Sequence, residues 1–247
     1  MGPLWHVGRA HTFFAGPLRY NAPHQHGAPV YLAGLYGRFR IRVEGAGWAL
    51  CRTALVPAGV SHELDLGGEP LGVLYLEPGA AAPDALAALL HGAAASGRAR
   101  LGEGGEIAPL RDLWEAPDAT AWAGAALADL TAFAGRRAGR ESDPRIARVV
   151  ARLTARPSPD LSAEALARVV GLSSSRLQHL FTREVGVPFR RYRAWLRMRR
   201  ALAEAAAGAN LTRAAHAAGF ADQAHFAHDF RRTFGAPASG SLVNVRR

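Results

Sequence analysis

The sequence predicts a two-domain α+β protein, a small N-terminal β-barrel with flanking helices followed by an all-α domain. Three observations predict it. Residues 1–80 carry short alternating apolar runs punctuated by Gly and Pro, which is how many short strands read. Residues 83–137 turn Ala-rich and helical. From Asp143 the signals are helical almost to the end, and one helical unit occurs twice.

Charge divides the chain in the same place. Of 30 basic and 20 acidic residues, Asp143 to Arg247 holds 18 Arg and 7 acids, a net +11. Met1 to Ser142 holds the other 12 Arg and 13 acids, a net −1. A basic domain that meets a polyanion therefore follows a neutral one. No run approaches the ~18 apolar residues of a membrane span. Met1 to Ala10 lacks the basic-then-apolar pattern of a secretory signal. The single cysteine, Cys51, excludes an internal disulfide framework. The expected setting is cytoplasmic, with no membrane partner.

In the β region, Gly37 to Val43 puts Phe39, Ile41 and Val43 on one face and Arg38, Arg40 and Arg42 on the other. Two helices are expected next, Asp84–Leu90 and Asp118–Arg137, separated by a Gly-rich stretch from Gly92 to Gly105. Trp122, Ala126, Leu130 and Phe133 make a helical stripe on the second. It suits either a dimer face or packing on its own β domain, and the second is favoured. The linker is placed at 138–142, dividing a domain at 1–137 from one at 143–240.

Asp143-Pro144 reads as an N-cap with Pro at the first helical position, opening a helix that Pro157-Ser158-Pro159 stops. Then comes the duplicated unit. Ser162, Ala167, Gly171 and Leu172 recur 48 residues later as Asn210, Ala215, Gly219 and Phe220. Past the turn the offset is 49, so that Leu177, His179, Phe181, Arg183, Gly186 and Pro188 recur as Phe226, His228, Phe230, Arg232, Gly235 and Pro237. The extra residue is expected at the start of the second copy's last helix. Ala suits a close helix crossing, Gly a left-handed turn, and Ser or Asp the next N-cap. This is helix-turn-helix logic, with the second helix of each unit exposed for the major groove of double-stranded DNA.

The helix expected between the units, Phe189–Ala207, is about 28 Å long at 1.5 Å per residue. That is close to the ~34 Å of one DNA turn, so the two readers suit successive major grooves. Arg190, Arg193, Arg197 and Arg200 line one side of it, opposite an apolar side. Arg191 and Arg199 project nearer the apolar side, where ion pairs with Glu164 or Glu204 are expected.

Residues ~143–240, about 40% of the chain, resemble the AraC/XylS family of bacterial transcription regulators. The matching segments are Leu161 to Ala167 (LSAEALA), Gly171 to Ser173, Leu177 to Phe181 (LQHLF), Gly186 to Tyr192 (GVPFRRY), Gly219 to Phe226 (GFADQAHF) and Phe230 to Gly235 (FRRTFG). The resemblance implies a DNA-binding regulator, not an enzyme. Its base readers would be Ser175, Arg176, Gln178 and His179 in the first unit, and Gln223, Ala224, His225 and His228 in the second. Phosphate contacts fall to Thr182, Arg183, Arg190, Arg193, Arg231 and Arg232. The family's closing Pro-Ser-x-Tyr-Arg is degraded here to Ala238-Ser-Gly-Ser, so a loose terminal turn is expected.

His24-Gln25-His26 and Pro57-Ala58-Gly59-Val60-Ser61-His62 resemble the two motifs of the cupin fold, which implies a cupin-like sensor domain. In metal cupins such histidines and a Glu hold a divalent ion, and three imidazoles suit Fe, Ni, Zn or Mn. The expected carboxylate is missing, with Val30 and Tyr31 in its place. Three readings stay open: a divalent metal, a small-molecule effector hydrogen-bonded by His24, His26 and His62, or purely structural histidines. Tyr31, Tyr36, Trp48 and Tyr75 are the expected pocket wall. RNA polymerase and a second copy of the chain are further candidate partners. The competing functions are a metal-dependent cupin enzyme with an accessory DNA-binding domain, and a nonspecific basic nucleic-acid binder.

Overall fold

A computed structural model describes residues 2–78, 85–137, 142–155 and 161–246. The expected linker, apart from Ser142, and the stop at Pro157 to Pro159 lie outside the described residues.

The N-terminal part is two antiparallel sheets. Strands β1 (Leu4–Val7), β2 (His11–Pro17), β4 (Val30–Gly34), β7 (Thr53–Val56), β9 (Pro70–Leu76), β10 (Leu90–Ser96) and β11 (Ala99–Gly105) form the larger, in spatial order β1-β2-β9-β4-β7-β11-β10. Strands β3 (Tyr20–His24), β5 (Phe39–Val43), β6 (Ala49–Cys51) and β8 (His62–Asp65) form the smaller, in order β3-β8-β5-β6. The expected barrel is therefore corrected to an open arrangement: among the described residues the two sheets are separate and no barrel closes. The chain passes between the sheets several times, once at Arg52, whose guanidinium donates to the carbonyls of Leu35 and Tyr36.

The larger sheet is buried on both faces, which explains the continuous apolar runs of β4 and β9. One face, with Leu4, Phe13, Tyr31 and Leu74, packs against helices α1 (Ala108–Glu115) and α2 (Ala119–Arg136). Ala123, Leu127, Leu130 and Ala134 are the buried stripe of α2, and Trp122, Ala126 and Phe133 pack half-buried beside it. This face is thus used within the chain. Asp84–Leu90 was expected as one helix. Ala85–Leu89 instead forms a single 3-10 stretch, Leu90 already belongs to β10, and Asp84 lies outside the described residues. The Gly-rich stretch is the β10–β11 hairpin, hidden because Ala and Gly carry almost no strand propensity.

The C-terminal part comprises α3 (Pro144–Ala155), α4 (Ala163–Val169), α5 (Ser174–Val185), α6 (Phe189–Ala206), α7 (Leu211–Ala217), α8 (Gln223–Phe234) and α9 (Ser239–Leu242). The terminal turn expected to be loose is seated: Leu242 is buried, and the carbonyl of Ser241 accepts a hydrogen bond from Trp5 Nε1 at 2.8 Å. Among the described residues no helix is long and apolar enough to cross a membrane.

The second face of the larger sheet, the smaller sheet and the helical part share one continuous core. At its centre lies Glu77, just past β9 and 2% exposed. Its carboxylate accepts from Tyr192 Oη at 2.9 Å and Trp195 Nε1 at 3.0 Å, and pairs with Arg199 Nε at 3.2 Å. Arg199, 6% exposed, also donates to Thr12 Oγ1 at 2.9 Å and to the carbonyl of Gly8. Arg199 does form a structural ion pair, but across to the β part rather than with Glu164 or Glu204. Close packing reinforces the joint, since a Cβ on Gly27 would lie 2.4 Å from Trp195 Cβ.

Removing one charge of such a buried pair strands the other. Glu77→Gln is expected to lower unfolding free energy by about 3 kcal/mol. Urea denaturation measures this, and a change below about 1 kcal/mol would contradict the clamp.

Candidate nucleic-acid interface and histidine centre

The duplication is exact in helix length. Helices α4 and α7 have seven residues each, and α5 and α8 have twelve. The four expected N-caps all form. Ser162 Oγ accepts from Ala165 N at 3.1 Å, Ser173 Oγ from Arg176 N at 3.3 Å, Asn210 Oδ1 from Arg213 N at 2.9 Å and Asp222 Oδ1 from His225 N at 2.7 Å. Gly171 and Gly219 take φ of 67° and 82°, as a left-handed turn demands. The extra residue of the second copy sits in this turn, where Ala218 to Asp222 replaces Val170 to Ser173, and not in α8 itself.

Leu177, Leu180 and Phe181 face the core on α5, and Phe226, Phe230 and Phe234 on α8. That leaves Ser175, Arg176, Gln178, His179, Thr182 and Arg183 exposed on the first. Gln223, Ala224, His225, His228, Arg231 and Arg232 are exposed on the second. Five of them already have partners: Thr182 Oγ1 donates to Gln178 O at 2.9 Å, Gln178 Nε2 to Ser174 Oγ at 3.3 Å, Arg183 Nε lies 3.3 Å from Glu184, Gln223 Oε1 accepts from Thr212 Oγ1 at 2.8 Å, and His225 lies 3.7 Å from Asp229.

Two clefts of about 540 and 650 Å³ flank α6, and arginines line both. Arg190 lies in both, Arg232 in the first and Arg193 in the second. Arg197, one of the four arginines expected along one side of α6, is engaged within the chain. Its Nη2 donates to Asp229 Oδ2 at 2.9 Å and its guanidinium stacks 4.4 Å from the Phe220 ring, bracing α6 against the second unit.

The three histidines do come together. His24 ends β3, His62 opens β8 beside it, and His26 follows in the next loop. One nitrogen from each lies within 4.8 Å of the others, and all three side chains are buried. Two spend a nitrogen on a carbonyl: His24 Nδ1 on Ala22 O at 2.8 Å and His62 Nδ1 on Val60 O at 3.1 Å. A proton on each bonded Nδ1 leaves its Nε2 without one. His26 Nδ1 and His62 Nε2 have no hydrogen-bond partner. Burial holds all three imidazoles neutral, with His62 pushed down to about 4. Neutral imidazoles anchored by a carbonyl on the far nitrogen are what a metal ligand set requires, so these residues fit a divalent ion.

The cavity beside them is apolar, lined by Trp5, Phe14, Tyr75, Phe230 and Phe234, and its free volume is only about 30 Å³. It holds a water or two, far short of the ~300 Å³ of a drug-sized ligand site. Of the four expected wall aromatics only Tyr75 lines it. Tyr31 belongs to the opposite face of the sheet and donates to Leu89 O. Tyr36 is exposed, and Trp48 stacks outside against Arg40 and Arg42. The alternation that marked them as inward could not say which face of a doubly buried sheet meets the histidines.

Residues 166–240 match the helix-turn-helix domain family. That match covers α5 to α8 and part of α4. Outside it the similarity is of fold. Unsaturated-fatty-acid-bound ToxT from Vibrio cholerae strain SCE256 is 13% identical, with 97% of each chain covered and a TM-score of 0.61. ToxT from Vibrio cholerae O395 is 10% identical, covering 95% of this chain and 98% of that one, with a TM-score of 0.60. No curated protein matches the sequence. The helix-turn-helix region therefore sits in a fold in which a β-sheet part precedes it, and the two are joined by Glu77 and by Asn21, whose Nδ2 donates to Phe234 O at 2.8 Å. Neither residue stood out in the sequence; a lone acid closing the apolar run of β9 was the only available signal for Glu77.

His11 offers a pH probe of this joint. It is 4% exposed, both ring nitrogens lack partners, and its pKa is pushed down to about 4 by burial, then by His6 and Arg199. In the unfolded chain it protonates near 6.5. Its contribution is therefore intact above pH 6.5 and lost as pH falls towards 4. Between pH 7 and pH 5 this amounts to about 2 kcal/mol. Urea denaturation at the two pH values should show a smaller loss for His11→Leu than for the parent, and equal losses would rule this origin out.

Proposed function

We propose that the chain is a sequence-specific transcription regulator in which α5 and α8 read successive major grooves and the β part supplies the input. The observation that carries it is the pair of capped, equal-length helices with exposed polar faces on a common scaffold. Ser174, Ser175 and Arg176 on α5 are replaced by Gln223, Ala224 and His225 on α8 while His179 and His228 match, so the units read partly different bases. Thr182, Arg183, Arg190, Arg193, Arg231 and Arg232 hold the phosphates on either side, and the arginine-lined clefts along α6 give the backbone a path between the grooves.

The input favoured is a divalent metal ion held by His24, His26 and His62. Their bare nitrogens fit it, and the cavity of about 30 Å³ admits nothing larger without opening. ToxT has been seen with an unsaturated fatty acid. An acyl chain finds no room beside these histidines. The regulator reading also outranks a cupin enzyme, because Val30 and Tyr31 stand where a metal cupin places its carboxylate.

Base-resolution footprints of the upstream DNA test the readers. Gln178→Ala and Gln223→Ala should each relax preference at separate positions about one turn apart. Arg183→Ala or Arg232→Ala should weaken all sequences alike and lower the salt slope by about one. Unchanged footprints in both Gln variants would sink the assignment. Calorimetric titration with Zn²⁺ and Ni²⁺ tests the input: one equivalent should bind the parent, and His62→Ala should abolish it. Parent protein that takes up neither metal would overturn that part.

A further inference from the structure

The C-terminal end of each reading helix rests on a different histidine-bearing segment. Helix α8 ends at Gly235, with φ 73°, whose N–H closes back on Arg231 O at 2.8 Å. The next carbonyls have no partner in the helix. The β part supplies two of them: Asn21 Nδ2 donates to Phe234 O at 2.8 Å, and Ala22 N to Gly235 O at 2.8 Å. The fit is close, since a Cβ on Gly235 would lie 2.3 Å from Ala22 O and 2.7 Å from His24 Nδ1. The turn after α5 instead meets the second segment, where a Cβ on Gly59 would lie 2.8 Å from Val187 Cγ1 and 3.2 Å from Gly186 O. The two segments are tied together by Gly59 N donating to His26 O at 2.9 Å.

We propose that Asn21 and Ala22 form a helix cap supplied from the β part to α8, which makes Asn21 a positioning residue for the second DNA reader. The inference rests on the reading of α5 and α8 as DNA readers. Two successive carbonyls at the end of one helix accept two donors from one strand, so the direction of α8 is set by β3 and not by its own turn alone. The His26 ring lies 5.7 Å from that of Phe234, so an occupant of the histidine centre and the end of the second reader touch one imidazole.

Asn21→Leu removes one of the two donors without adding a charge. Binding of the full chain to its upstream DNA is measured by base-resolution footprinting, with thermal melting to confirm folding. The half-site that responds to Gln223→Ala should lose affinity about tenfold in Asn21→Leu, and the one that responds to Gln178→Ala should change less than about twofold. Gly59→Ala, which presses on the turn after α5, should reverse the pattern. Hydrogen exchange gives a second readout that does not involve DNA. The last-turn amides of α8 should exchange faster in Asn21→Leu, and those of α5 should not. Equal loss at both half-sites, or a gain at the second, would overturn the proposal. So would unchanged exchange in α8. Gln variants that leave the footprint unaltered would instead refute the reading beneath it, and the exchange result would still decide whether the cap exists.

Discussion

The arrangement depends on one buried charge pair. Glu77 and Arg199 lie in an apolar core where an isolated charge would cost several kcal/mol, and each is satisfied by the other and by Tyr192, Trp195 and Thr12. The geometry leaves α6 a single seat on the sheet. Because α6 carries a helix-turn-helix unit at each end, fixing it fixes the frame in which both are presented. Burial raises the Glu77 pKa, and the Arg199 guanidinium opposes that shift.

Around this frame the two copies are alike in scaffold and unlike in use. Caps, turns and helix lengths repeat, while most of the exposed residues do not, His179/His228 and Arg183/Arg232 being the exceptions. The unlikeness extends to what lies behind them. Helix α8 is held at its end by hydrogen bonds from β3, and Arg197 braces α6 against it through Asp229 and Phe220. The turn after α5 meets Ala58 and Gly59 through close packing. On the proposed function, the second reader is referenced to the β part by hydrogen bonds and the first by packing.

Much of the helical half was legible in the sequence, because its signals are local. Ser162, Ser173, Asn210 and Asp222 bond to amides three residues away, and Gly171 and Gly219 answer to their own φ. The extra residue was misplaced by a few positions, since an offset change locates an insertion only to the interval between matched residues. The β half was less legible where its information is non-local. The alternation of Phe39, Ile41 and Val43 gave one strand its faces, but nothing in a row of residues tells whether sheets close into a barrel. The Ala/Gly hairpin at 90–105 forms by pairing with β7, against its own propensity. The histidine triad was found because its spacing is a motif. Its contact with α8 was not, because Asn21 and Phe234 are 213 residues apart.

The central claim is that this joint presents two sequence readers to DNA. The most direct measurement is competition binding of the full chain to its upstream DNA against a shuffled duplex of equal length at about 0.15 M salt. The account predicts a preference of about a thousandfold or more, kept as salt is raised while both affinities fall. Equal affinity for the two duplexes at every salt concentration would contradict it, and would leave a basic surface that binds any nucleic acid.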